Sequence, residues 1–146
     1  MVFGIIGSVL LFAIAGIHIY WLFGGKAGFD RCTPLDRRGN RWNPGKLATV
    51  VSALVFLVAG LIPLISLHII DTPIPAWIVD VVLIFGIVVL LARGLGLFVV
   101  SLHQPKPRDI FHRYNIALYT PLCLFLALCY LVCLLWFAFH IAPYPS

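Results

Sequence analysis

Residues 2–23 read VFGIIGSVLLFAIAGIHIYWLF, 22 positions without a single charge. Crossing about 30 Å of hydrocarbon takes about 20 apolar residues in a helix, so this stretch meets the requirement unaided. Lipid offers the backbone no hydrogen-bond partner, and a barrel strand would need alternating polarity, which is absent; the stretch is expected to be an α-helix. Residues 47–70, 77–102 and 116–142 have the same character, with Asp80 and Arg93 as their only charges. The expected fold is therefore all-α: a four-helix membrane bundle forming a single transmembrane domain over residues 1–146.

Composition agrees. The chain is 62% hydrophobic and 10% charged, with a mean hydropathy of +1.08, outside the range of soluble proteins. Met1, Val2 and Phe3 carry no basic charge, unlike the start of a signal peptide, so the first helix is expected to be retained. Four cysteines form no C-x-x-C pair; Cys123, Cys129 and Cys133, inside an apolar run, read as packing residues rather than a disulfide framework or a zinc knuckle.

The net charge of +5 is unevenly placed. Lys26, Arg31, Arg37, Arg38, Arg41 and Lys46 fall in the loop 24–46, and Lys106, Arg108 and Arg113 in the loop 103–115. Residues 71–76 and both tails hold none. Basic residues are retained on the cytoplasmic side, so these two loops are expected to be cytoplasmic and both termini outside. The charge reports orientation, and no nucleic-acid partner is expected. Tyr20, Trp21, Trp42, Trp77, Trp136 and Tyr144 lie near segment ends, where amphipathic rings favour the headgroup layer.

Polar groups in lipid usually face the bundle interior, so shared helical faces are informative. At 100° per residue, Asn115, Tyr119, Cys123, Leu126, Tyr130, Cys133, Phe137 and His140 form one stripe. Gly4, Ser8, Leu11, Ala15 and His18 form another, Ser52, Phe56, Ala59, Pro63 and Ser66 a third, and Gly86, Arg93 and Val100 share a face. Threaded through the topology, His18, Tyr20, Trp21, Arg93, Asn115 and Tyr119 converge in the cytoplasmic third of the bundle and are the candidate ligand-binding residues. An arginine at mid-bilayer costs about 2.5–3.5 kcal/mol on insertion scales, so Arg93 is expected to be paired, hydrated or snorkelling. His68, Asp71, Asp80 and His140 lack the H-x-x-x-H or H-E-x-x-H spacings of metal sites, and no metal site is expected. Nucleotide loops and the G-x-S-x-G elbow are likewise missing.

The blocks Ala15-Gly16-Ile17-His18-Ile19-Tyr20-Trp21, Gly24-Gly25, Asn43-Pro44-Gly45, Ala92-Arg93-Gly94-Leu95-Gly96 and Tyr119-Thr120-Pro121-Leu122-Cys123 resemble a bacterial family of small four-helix membrane proteins whose function is unassigned. The resemblance spans nearly the whole chain. It implies a bacterial inner-membrane, multi-pass location and recurrent polar positions at His18, Tyr20, Trp21, Arg93 and Tyr119, but no reaction. This chain departs from the pattern at Asn115, where an acidic residue is expected, and at Leu118, where a second tyrosine is typical.

The leading expectation is a cytoplasm-facing polar pocket binding a lipid-like or small amphipathic ligand, with Arg93 holding an anionic or carbonyl group. Two others stand beside it: a membrane isomerase or oxidoreductase in which His18 shuttles protons and Tyr119 polarises an oxygen, and a non-catalytic accessory subunit of a larger membrane complex. The bilayer is the one partner expected in every case; a homo-oligomer is open.

Overall fold

The computed structural model describes residues 1–33, 40, 43–102 and 110–141. Arg37, Arg38, Arg41, Trp42, Lys106, Arg108 and Tyr144 lie outside the described residues, as do the side chains of Val100 and His140. All regular elements among the described residues are helical: α1 (Val2–Leu22), α2 (Phe29–Cys32), α3 (Gly45–Ser66), α4 (Ala76–Leu102), α5 (Ile110–Tyr114), a π-helical turn (Asn115–Tyr119) and α6 (Thr120–Ile141). Four stretches are long and apolar enough to cross a membrane: Val2–Leu22, Gly45–Ser66, Ala76–Gly96 and Ile110–Phe139.

Local chemistry explains the ends. α1 stops in a Schellman motif: the Gly25 amide donates to the Tyr20 carbonyl and the Gly24 amide to Trp21, each at 3.0 Å, with Gly24 at φ +90°, a conformation that favours a residue without Cβ. α3 ends before the expected boundary at residue 70. There His68 takes the left-handed position at φ +53°, and the Ile69 amide closes the turn on the Leu64 carbonyl at 3.0 Å. The last helical stretch begins at Ile110, not 116. His112 and Arg113 interrupt the apolar run but not the backbone path, and the π turn carries α5 into α6 without a loop.

α1 packs along α3 and α4 along α6, with α1 and α6 joining the pairs. Leu11, Ile62, Leu83, Leu126, Tyr130, Cys133 and Phe137 belong to the shared core, whereas Val81, Ile84, Phe85 and Val88 are exposed on α4 as a lipid-facing flank would be. The small-residue stripe of α1 is buried at Gly4, Ser8, Leu11 and Ala15. Near the termini α1 and α6 touch closely: a Cβ built on Gly4 would lie 2.7 Å from Cys133 Sγ, and one on Gly7 3.1 Å from the Cys129 side chain. Nothing lies within 4 Å of such an atom on Gly16. α1 is thus in contact with α6 near the termini and has open space beside Gly16.

Tyr130 is deep in this core, 2% exposed, and its hydroxyl donates to the Ala59 carbonyl at 2.5 Å. That carbonyl would ordinarily accept the amide of residue 63, which is Pro63 and has none. Gly86 makes room for the ring, since a Cβ there would fall 2.5 Å from Tyr130 Cε1. One proline, one glycine and one phenol on three helices therefore form a matched set.

Candidate functional site

At the end of the bundle that carries the two basic loops, a cleft of about 560 Å³ lies between α1 on one side and α5 with the π turn on the other. Its apolar wall is Ala13, Gly16 and Ile17 of α1 facing Leu118 of the π turn; its polar end is Tyr20, Trp21, Arg31, Cys32, Tyr114 and Tyr119. The cleft is open rather than enclosed.

Short helix α2 forms the upper part of the cleft, held at three points. Trp21 at the end of α1 donates its indole N–H to the Ala27 carbonyl at 2.9 Å, and its ring meets Phe29 edge-on at 5.6 Å. From the opposite wall, Tyr119 Oη lies 2.9 Å from Cys32 Sγ and donates to the Arg31 carbonyl at 3.3 Å. The carbonyl only accepts, so the neutral thiol donates to the phenol oxygen and completes the chain Sγ–H to Oη–H to carbonyl. Finally, the Arg31 guanidinium sits 5.0 Å from the centre of the Tyr114 ring, within cation–π range. Burial pushes the Cys32 thiol above the ordinary cysteine value, with the Tyr119 hydrogen bond opposing it. At neutral pH this is a protonated thiol, not a ready nucleophile.

The six candidate residues divide among three places. Tyr20, Trp21 and Tyr119 line the cleft. Arg93 is on the exposed surface of α4 and donates from Nη1 to Asn115 Oδ1 at 3.2 Å; Asn115, first residue of the π turn, is 2% exposed. That pair joins α4 to the π turn and does not line the cleft. His18 lies elsewhere again. Its Nδ1 is 2.8 Å from the Ile14 carbonyl, one turn back on its own helix. The ring packs at 5.1 Å against Trp21 and 5.2 Å against Phe56 of α3. The carbonyl can only accept, so Nδ1 is the donor. His18 and Arg93 therefore do not line the cleft that Tyr119 lines; His18 borders it only through the Trp21 ring.

Arg31, Cys32 and Tyr114 were not among the candidates. Arg31 and Cys32 belong to a four-residue helix inside a basic loop, and Tyr114 to a five-residue helix within the next; neither is long enough for periodicity to mark a face. The usable signal was compositional: Cys32 is the one cysteine outside the apolar runs. Among the described residues lining the cleft none carries a carboxylate or an imidazole, and among the described residues no three His, Cys, Asp or Glu side chains gather as a metal site would require. The chemistry on offer is recognition: aromatic faces, one guanidinium, a thiol–phenol pair and an apolar wall.

The family described as protein of unknown function (DUF3995) matches residues 11–130, and the chain belongs to that family. The match includes both walls of the cleft, the Arg93–Asn115 pair and His18. No curated protein and no solved structure matches the chain.

Proposed function

We propose that this DUF3995 protein is a bacterial inner-membrane protein that binds a lipid-like amphipath in the cleft between α1 and the α5–π-turn segment. The observation that carries the reading is the division of the cleft into an apolar wall of Ala13, Gly16, Ile17 and Leu118 and a polar end of Arg31, Trp21 and Tyr119. An acyl chain suits the wall and a polar head the end. Tyr20 and Trp21 belong at the headgroup layer, which puts the polar end of the cleft at the depth of lipid heads. With the basic loops in the cytoplasm, as their charge supports, the cleft opens into the inner leaflet. Arg93 moves from the ligand to the scaffold in this reading, because its hydrogen bond goes to Asn115 outside the cleft.

The test uses two glycines that both have open space beside them, Gly16 in the cleft and Gly96 on α4. A Cβ at either position meets no atom within 4 Å, so neither leucine variant is expected to unfold, and only Gly16→Leu projects into the cleft. Full-length protein extracted in mild detergent would be examined by native mass spectrometry for retained lipid. Wild type and Gly96→Leu are expected to keep a bound amphipath and Gly16→Leu to lose most of it; equal retention in all three would overturn the reading.

The accessory-subunit reading is favoured by the openness of the same cleft, since a groove with small residues along one wall also accepts a helix. A protein co-purifying with wild type and lost in Gly16→Leu, without any bound lipid, would select it.

A further inference from the structure

A second, smaller cleft of about 330 Å³ opens beside the first, lined by Ile110, Arg113, Tyr114 and Ala117. Tyr114 lines both. Each cleft thus has one arginine, Arg31 in the larger and Arg113 in the smaller, with one tyrosine ring between the two spaces.

The state of these guanidiniums is informative. The Arg31 guanidinium lies over the Tyr114 ring at 5.0 Å and its backbone carbonyl accepts the Tyr119 hydroxyl, so the residue is held at both ends. Among the described residues neither Arg31 nor Arg113 forms a salt bridge, and both are exposed. A guanidinium held over an aromatic face by cation–π attraction does not spend its N–H donors on that contact, and those donors suit phosphate oxygens. By sequence, the two basic loops hold nine Lys and Arg against Asp30, Asp36 and Asp109. Charge at this end favours an anion over a zwitterion, whose added cation would meet the same guanidiniums.

Resting on the reading of the larger cleft as a lipid site, we propose that its occupant is an anionic phospholipid whose phosphate is held by Arg31 and Arg113 across Tyr114. The acyl chains follow Gly16 and Leu118, and the second cleft receives the rest of the head.

The experiment titrates full-length protein in neutral detergent with phosphatidylglycerol and phosphatidylcholine of equal acyl length and reads bound lipid by native mass spectrometry. A basic side chain near an anionic headgroup contributes about fivefold in affinity, so Arg31→Gln and Arg113→Gln should each lower the preference for phosphatidylglycerol by about that factor. Arg31→Lys should retain much of the preference as a charge but less than arginine. Lys46→Gln removes the same charge from the same end outside both clefts and should leave the preference intact. A fall with Lys46→Gln as large as with the arginine variants would overturn the proposal in favour of a general surface field. Displacement of the lipid by millimolar inorganic phosphate would overturn it in favour of a free-anion site. If wild type holds both lipids equally, the headgroup assignment fails and the cleft reading survives; if it holds neither, both fail.

Discussion

Removing the Tyr130 hydroxyl tests whether a side chain on α6 substitutes for a backbone donor missing from α3. In Tyr130→Phe the ring still fills the space beside Gly86, but the Ala59 carbonyl loses the donor now 2.5 Å away, and Pro63 cannot replace it. Hydrogen bonds between membrane helices average about 0.6 kcal/mol and reach about 1.7 kcal/mol. A buried carbonyl left without a partner costs about 1–3 kcal/mol. The substitution should therefore cost about 1–2 kcal/mol, toward the upper end of the interhelical range, because the carbonyl faces a ring that is only 2% exposed. Pro63→Ala restores an amide at the right position in the helix, and in that background the same Tyr130→Phe change should cost less than about 0.5 kcal/mol, as in a cycle whose two partners are coupled. Equilibrium unfolding of the four proteins in mixed detergent micelles, followed by helical circular dichroism, gives the cycle. An equal cost of Tyr130→Phe in both backgrounds would refute the reasoning, since the Ala59 carbonyl would then not be what the phenol serves.

Two further outcomes follow from the geometry of the basic-loop end. Arg93→Met leaves the buried Asn115 Oδ1 without its donor and should cost about 1–3 kcal/mol, with Asn115→Leu in the same chain recovering a large part of the loss; thermal unfolding of the two variants measures both. Burial holds the Cys32 thiol above its ordinary value of 9.0, so its maleimide labelling, followed by peptide mass mapping, should stay slow at neutral pH and keep rising about tenfold per pH unit beyond 9.0 rather than levelling there. The sign of the stability effect is the same: a folded-state value raised above the unfolded one leaves the thiol's contribution intact below 9.0 and removes it as pH climbs through the folded value.

His18 and Arg93 show why the candidate site came out differently from its sequence expectation. Each stands at the height along its helix that the 3.6-residue period assigns, and each is at the basic-loop end. Helical periodicity gives the angle of a side chain about its own axis, but says nothing about which neighbour occupies that angle. α1 turns His18 toward Phe56 of α3, while α4 and the π turn satisfy Arg93 through Asn115. Tyr119 alone of the three faces the gap beside α1. The π turn matters here, because one wider turn changes the angular phase of everything before it relative to α6, and no residue pattern announces it.

The amino-acid order alone determined the all-α class, the four stretches able to cross a membrane and the stripes that become the core, from Gly4 through Ala15 on α1 to Leu126, Tyr130, Cys133 and Phe137 on α6. Those properties depend on the exchange between side chain and solvent and on a period internal to one helix, both of which are local. Only the tertiary structure decided that a cleft opens beside Gly16 against the π turn, that a four-residue helix contributes to its lining, and that Arg31 rests on Tyr114. Such contacts join residues far apart in the chain, through packing that depends on every intervening helix at once.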